Sequence, residues 1–477
     1  MTKTQKPSPT EFPVLFEIDP EPAQERLTAL GGLPLVAQTF RSLGLPGSVK
    51  RQVEIKERAR GYDEATFVES FVLLNAAGGE CVEDFERLRE DPGLAELIGH
   101  GIPSAEAARQ FLYQFHEEEK ITEAQQQLEL GRKAYIPGES GPLAGLGQVN
   151  RDLIQALGER CGGEQIATVD QDATIIASRK REAMRTYEGE RGTQPMLAVW
   201  AEMGVVLADE FRDGNVPAQM EPLNVAKAAY AALPATVKTF YYRGDSASHE
   251  EGLVKWLRDE KREGGPRGDI GFAISARRSE ALHQAIEGVE EGDWQPYGRP
   301  DPSVIRECAD VAFVPGESSE RKDSQPLRYV AVRIRQRQGE MFADGTRVKH
   351  FAVVSNIWKW TAARLLEWHR EKAGTIEAVH DVIKNELAGG VMPCGRFGAN
   401  AAWLRLAVIA YNVLTALKRL ALPAELLAAR PKRLRFLIFN TAGRLVHHAR
   451  QTVLRLAAVA ERLAEWREAL RLLPVPG

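Results

Sequence analysis

The sequence predicts an α/β protein: a mixed sheet carrying helices and a β-rich insertion, with a helical region before it and a basic helical region after it. Three observations predict this. Between Ile166 and Ser275, strand-length apolar runs and helical runs follow the order β-β-β-α-β-α-β. From Trp294 to Val354 the pattern alternates with period two. Before Leu130 and after Trp358, apolar residues recur at helical spacing.

The composition sets bounds. The chain has 477 residues, of which 44% are hydrophobic and 27% charged. That is the mixture of a soluble protein of several domains, and it excludes disordered, collagenous and disulfide-rich secreted chains. The net charge of −4 argues against a generic nucleic-acid coat. The charge is uneven, however. From Lys418 to Gly477 twelve Lys and Arg face four acids, a balance of +8 that leaves −12 on the rest. A basic end on an acidic body suits a polyanionic partner, or else a solvated helix face whose Arg stems cover apolar neighbours.

Cys81, Cys161, Cys308 and Cys394 are far apart, and with nine scattered histidines they give no zinc spacing. Buried thiols in a reducing cytoplasm fit them. The first 22 residues have no apolar h-region and read as a flexible tail. The greasiest stretch, Ala401 to Leu422, is interrupted by Arg405, Lys418 and Arg419, so it reads as a core helix and no membrane partner is expected.

Taken in order, residues 1–135 read as short helices joined by tight turns such as Gly78-Gly79 and Asp91-Pro92-Gly93. Residues 136–160 read as a Gly/Pro-rich linker and lead-in helix, and the Gly145-x-Gly147 inside it lacks the preceding strand that a nucleotide loop needs. Residues 161–290 hold the first part of the sheet, where Ser248-x-x-Glu251 reads as a capping box. Residues 291–355 form the β-rich insertion, and 356–422 carry two long helices. Residues 423–477 make the basic helical end.

Three acids stand where chemistry can use them. Asp172 ends the first strand, Asp245 follows a later strand, and Glu377 lies on the helix after the insertion. Strand ends on one sheet edge, crossed by a helix, can gather all three. Carboxylates bind hard divalent ions such as Mg²⁺. Two such ions roughly 3.5–4 Å apart activate a water or 3′-hydroxyl and stabilise the leaving oxygen of a phosphodiester. Each acid alone also reads as a surface charge, Asp245 as a turn residue, and Asp170 competes with Asp172 because i and i+2 share a strand face.

The segments Thr168-Val-Asp-Gln-Asp-Ala-Thr174, Tyr242-Arg-Gly-Asp-Ser-Ala-Ser248 and Gly374-Thr-Ile-Glu377 with Lys384-Asn-Glu-Leu387 resemble the DDE transposases of bacterial insertion sequences. The group typified by insertion sequence thirteen-eighty is most similar, since Pro393 to Trp403, Ala410 to Leu414, Leu30 to Leu35 and Asp84 to Asp91 also match it in order. The resemblance implies an RNase H-like core with a β insertion before the glutamate, and Asp172, Asp245 and Glu377 as a triad that is both catalytic and metal-binding. The gaps of 73 and 132 residues between these acids leave room for the insertion.

Related transposases carry a Tyr-x2-Arg-x3-Glu-x6-Lys signature. Lys384 matches its lysine, seven residues past Glu377 and so on nearly the same helix face. Arg370 stands at the tyrosine place and Ala373 at the arginine place; Arg370 or Lys372 can substitute as a phosphate contact, while Gly374 can break the helix. Trp358 and Trp360 read as core residues or as stacking partners for a base, and His249 and His380 as satisfied structural histidines or water-ordering groups.

The resemblance implies a DNA transposase that binds the inverted-repeat ends of its element and performs Mg²⁺-dependent cleavage and strand transfer, with Mn²⁺ able to substitute. The expected DNA contacts are Lys384, Arg370, Lys432, Arg433 and Arg435. A homodimer is expected when the protein is assembled on DNA. The alternatives are an RNase H-like nuclease without strand transfer, and a catalytically silent DNA-binding protein derived from a transposase.

Overall fold

A computed structural model describes residues 18–21, 25–55, 61–315, 326–336, 341–343, 345–449 and 451–475. Most of the expected N-terminal tail, residues 1–17, lies outside the described residues.

The centre is a nine-stranded mixed sheet. Its strands are β1 (Ile166–Ala173), β2 (Met196–Trp200), β3 (Val205–Glu210), β4 (Thr239–Gly244), β5 (Ile270–Ser275), β6 (Gln295–Pro296), β7 (Val304–Val311), β8 (Arg328–Gln336) and β9 (Val348–Ser355). They lie in the order β6-β7-β8-β9-β5-β4-β1-β2-β3. Only β1–β4 and β4–β5 pair in parallel; every other neighbour is antiparallel. The β-rich insertion is therefore an extension of the central sheet. Its last strand joins the core directly, with Val353 opposite Ser275 and Ser355 opposite Ala273.

Five helices matter most: α1 (Gly141–Cys161), α2 (Pro222–Ala232), α3 (Glu251–Arg258), α4 (Ala362–Glu386) and α5 (Phe397–Ala421). Helix α5 passes the length and hydropathy test for a membrane span, yet 94% of its apolar window is buried inside the protein. It packs on α1, on β3 and on the N-terminal helices Pro34–Ser42, Glu64–Ala77 and Ala105–Tyr113. One apolar cluster consequently runs from Leu33 through the sheet to Leu473. A second, smaller cluster joins the insertion to the start of α4 through Val330, Val332, Val353, Leu365 and Leu366.

Four local expectations change. The Gly/Pro-rich linker is mostly helix: α1 begins at Gly141, with the Ser140 hydroxyl accepting from the Leu143 amide. Gly145 allows close packing there, since a Cβ on it would lie 1.9 Å from the Gln52 carbonyl oxygen. The basic end is not wholly helical. Gly443–His448 and Gln451–Leu456 form a hairpin, with Leu27–Thr28 as its third strand. The cap of α3 is Glu250, whose carboxylate accepts from the Gly252 and Leu253 amides at 2.8 Å each. Ser248 instead accepts from the Tyr242 hydroxyl. Finally, α4 runs unbroken through Gly374, because the stripe Leu365, Lys372, Ile376, Val379 and Ile383 holds it on the sheet. That packing outweighs the roughly 1 kcal/mol a helical glycine costs.

Candidate active site

Strands β1 and β4 are parallel, with Asp170 opposite Arg243 and Gln171 opposite Gly244. Continued one step, the register brings Asp172, in the last pleat of β1, beside Asp245, the residue just past the carboxyl end of β4. In open α/β sheets that edge is where ligands bind. Period-two alternation places Asp170, Asp172, Arg243 and Asp245 on one face of the sheet, the face that α4 crosses.

Asp170 and Asp172 differ in their partners. Asp170 is fully buried and takes the Arg243 guanidinium bidentately, at 2.6 and 2.9 Å. The Thr375 hydroxyl also donates to it. Arg243 further donates to the Trp368 carbonyl and Glu371, and lies over the Trp368 ring. A buried carboxylate with all its partners inside the protein is a structural pin. Breaking such a pair from one side costs about 3–5 kcal/mol.

Asp172 is more open, its side chain 22% exposed, and one oxygen accepts from its neighbour's amide, Ala173. The other accepts from Lys372 Nζ at 2.6 Å. Asp245 caps the short turn Ser246–Ser248, accepting from the Ala247 amide. Burial raises the pKa of its carboxyl, the charge of Asp172 raises it further, and Lys372 draws it back down. The two acids thus feel each other across the strand ends.

Glu377 lies on α4 and is exposed. Among the described residues, no three carboxylate, imidazole or thiol groups stand close enough to hold one metal ion. Two adjacent carboxylates nevertheless suit Mg²⁺, which keeps several waters and takes one or two carboxylates plus substrate phosphate oxygens.

Beside Asp245 opens a cleft of about 1270 Å³ between α4, the loop after β5 and the insertion strands. Arg277, Arg278, Arg306, Lys349 and Arg370 line it against the acids Asp245 and Glu280. Arg278 stacks on the exposed ring of Phe351. Of these cations the sequence pointed only to Arg370; the Arg277-Arg278 pair one residue past the strand Ile270–Ser275 was the available signal for those two, and nothing local marked Arg306 or Lys349.

The remaining expected residues divide. Lys384 donates to the Ile175 carbonyl at 2.7 Å, holding the chain just beyond β1. Lys432 and Arg433 are exposed on the C-terminal region. Arg435 is not presented to a partner. Its guanidinium is spent on the Asn75, Ala76 and Glu386 carbonyls, clasping two helix ends together. Lys372 is bound to Asp172 instead of reaching outward for a phosphate.

Trp360 packs against Tyr241 and Trp368, whereas Trp358 is 56% exposed. His249 accepts from the Arg277 amide, a satisfied structural histidine. His380 is buried with neither ring nitrogen hydrogen-bonded, contrary to the expectation of a satisfied imidazole. Burial lowers its pKa to about 4.

A family model described as transposase DDE domain, group 1, matches residues 21–475. Among solved structures, the chain is similar to a piggyBac transposase synaptic complex with hairpin DNA determined by cryo-EM. The identity is 11% and the TM-score 0.42, over 87% of this chain and 82% of that one. No curated protein matches.

Proposed function

The chain belongs to the family of DDE transposase domains, group 1, and from that premise we propose that it cleaves DNA at the ends of its own mobile element and joins those ends to a target. The observation that carries this reading is the pair Asp172 and Asp245, side by side at the carboxyl ends of parallel strands under a helix that bears Glu377.

Asp172 and Asp245 are the residues to hold a divalent ion, with Glu377 as the third acid. Mg²⁺ is the expected ion and Mn²⁺ its substitute. When bound there, such ions supply stabilisation of the attacking and leaving oxygens of an in-line displacement. The chain's own part is positional. The Asp170–Arg243 pin fixes the strand ends, Asp245 is held by its turn, and the cationic cleft beside it takes the phosphate backbone. Hydrolysis would release a 3′-hydroxyl, which then attacks target DNA, so no covalent protein–DNA intermediate is needed.

The finer reading is an insertion-sequence transposase of the thirteen-eighty group, cytoplasmic and dimeric on DNA, with the N-terminal helices and Lys432 and Arg433 contacting the terminal inverted repeats. Asp245→Asn tests it. Cleavage and joining of labelled end DNA should be lost while end binding persists; retained cleavage would remove Asp245 from the mechanism. Joining to a second duplex separates a transposase from a simple nuclease. The ammonium on Asp172 favours a second reading, a catalytically silent DNA-binding protein, and an absence of metal-dependent cleavage in the wild type would select it.

A further inference from the structure

We propose that Lys372 is a resident counter-cation of the acidic site: it occupies the divalent ion's place on Asp172 and must yield that carboxylate when the ion binds. The inference rests on the reading of Asp172 and Asp245 as the metal-binding pair. It starts from a contact that the sequence separates by 200 residues, Lys372 Nζ to Asp172 Oδ2 at 2.6 Å.

The lysine is unusually placed for a surface cation. Its side chain is only 10% exposed, on the stripe of α4 that faces the sheet. Lysine is seldom buried unless it is paired. Here the pairing solves a problem of the acids. Two carboxylates side by side at a strand edge repel each other; Arg243, on the same face, is committed to Asp170, Glu371 and the Trp368 carbonyl, and Lys384 is turned to the Ile175 carbonyl. Lys372 is the cation in direct contact with Asp172, and its charge also reaches Asp245.

A divalent ion on the same oxygens competes with that ammonium in two ways. It needs the Asp172 lone pairs that Lys372 uses, and it is repelled by the positive charge for as long as the ammonium stays. The lysine stem is flexible and carries three donors, so a phosphate oxygen entering the cationic cleft offers it a second anion. Metal and DNA phosphate would then favour one another. Each takes over one partner of the Asp172–Lys372 pair, a coupling that must be reciprocal.

Calorimetric titration of the full-length protein with Mn²⁺, alongside thermal melts in EDTA and in Mn²⁺, tests this without any cleavage assay. Lys372→Met should bind Mn²⁺ about tenfold or more tightly than wild type, melt lower in EDTA and recover in Mn²⁺. Lys372→Arg, which keeps the charge, should bind like wild type. Adding a short duplex oligonucleotide should tighten Mn²⁺ binding in the wild type and change it much less in Lys372→Met.

Unchanged Mn²⁺ affinity in Lys372→Met overturns the proposal. So does a Lys372→Met protein that folds neither in EDTA nor in Mn²⁺ while Lys372→Arg folds, since the lysine is then only structural. Asp172→Asn keeps the two questions apart. If Mn²⁺ still binds as tightly in Asp172→Asn, it is the metal-site reading that fails. If Asp172→Asn abolishes binding while Lys372→Met leaves it unaltered, the lysine's role alone is refuted.

Discussion

Asp245 and two histidines give the site opposite responses to pH. Burial and the charge of Asp172 raise the Asp245 pKa. A raised carboxyl pKa means the folded state holds the proton more tightly than the unfolded chain. The ionised group therefore costs stability above its folded pKa, and the cost fades as pH falls through that value. Asp245→Asn should accordingly melt higher than wild type at neutral pH in EDTA, and the two curves should converge on acidification. His369 and His380 act the other way. Burial carries both from an ordinary 6.5 down to about 4. In that window the unfolded chain takes up protons that the fold refuses, so stability falls as pH drops from 6.5 towards 4. Replacing both by Gln should flatten that limb of the stability profile in urea melts. The side-by-side acids were legible because a strand pattern ending in Asp and a strand followed by Gly-Asp point to the same sheet edge. The pairings Asp170–Arg243 and Asp172–Lys372 were not, because spacing along one strand says nothing about which cation a distant segment delivers.

Helix α1 shows how composition can mislead about an element. Its glycines and proline suggest a linker, but Gly145 stands against the Gln52 backbone and Gly158 against the Pro234 ring. Gly145→Ala should push α1 from the Leu45–Gln52 helix and lower stability by about 1–3 kcal/mol or more, read as a lower urea midpoint with an unchanged slope. The Arg435 clasp makes a similar point about charge. Arg435→Ala removes a donor from three carbonyls, of which that of Asn75 keeps the Gly78 amide, and should cost about 1–3 kcal/mol, with little loss of DNA affinity at equal folded fraction. Arg433→Ala should do the reverse, weakening DNA binding at little cost in stability. The strands of the insertion were plain from their alternation. Their continuity with the central sheet was not, since alternation identifies a strand and is silent about its neighbours.

Across the molecule, one core ties the N-terminal helices to the sheet through α5, and a single main calorimetric transition is the matching expectation. If the cationic cleft and the exposed Lys432 and Arg433 carry the proposed DNA binding, affinity for end DNA should fall steeply with salt, by close to one logarithmic unit of slope per phosphate contact. Affinity that stays level between low and moderate salt would put the contacts elsewhere. The broad layering, a helical region, a mixed sheet and long closing helices, could be read from periodicity. The sharing of one core between the first helices and α5 could not, because both are simply amphipathic or apolar segments until they meet.

The three-stranded sheet that joins Leu27–Thr28 to the hairpin 443–456 sets a timetable for synthesis. The strand at Thr28 waits for its partner at Gly443, about 415 residues later, which at 5–20 residues per second is roughly 20–80 s of translation. The N-terminal helices likewise cannot complete their core until α5 has left the ribosome. A nascent chain therefore lacks a finished N-terminal surface, and if that surface carries the proposed recognition of DNA ends, recognition begins with the released protein.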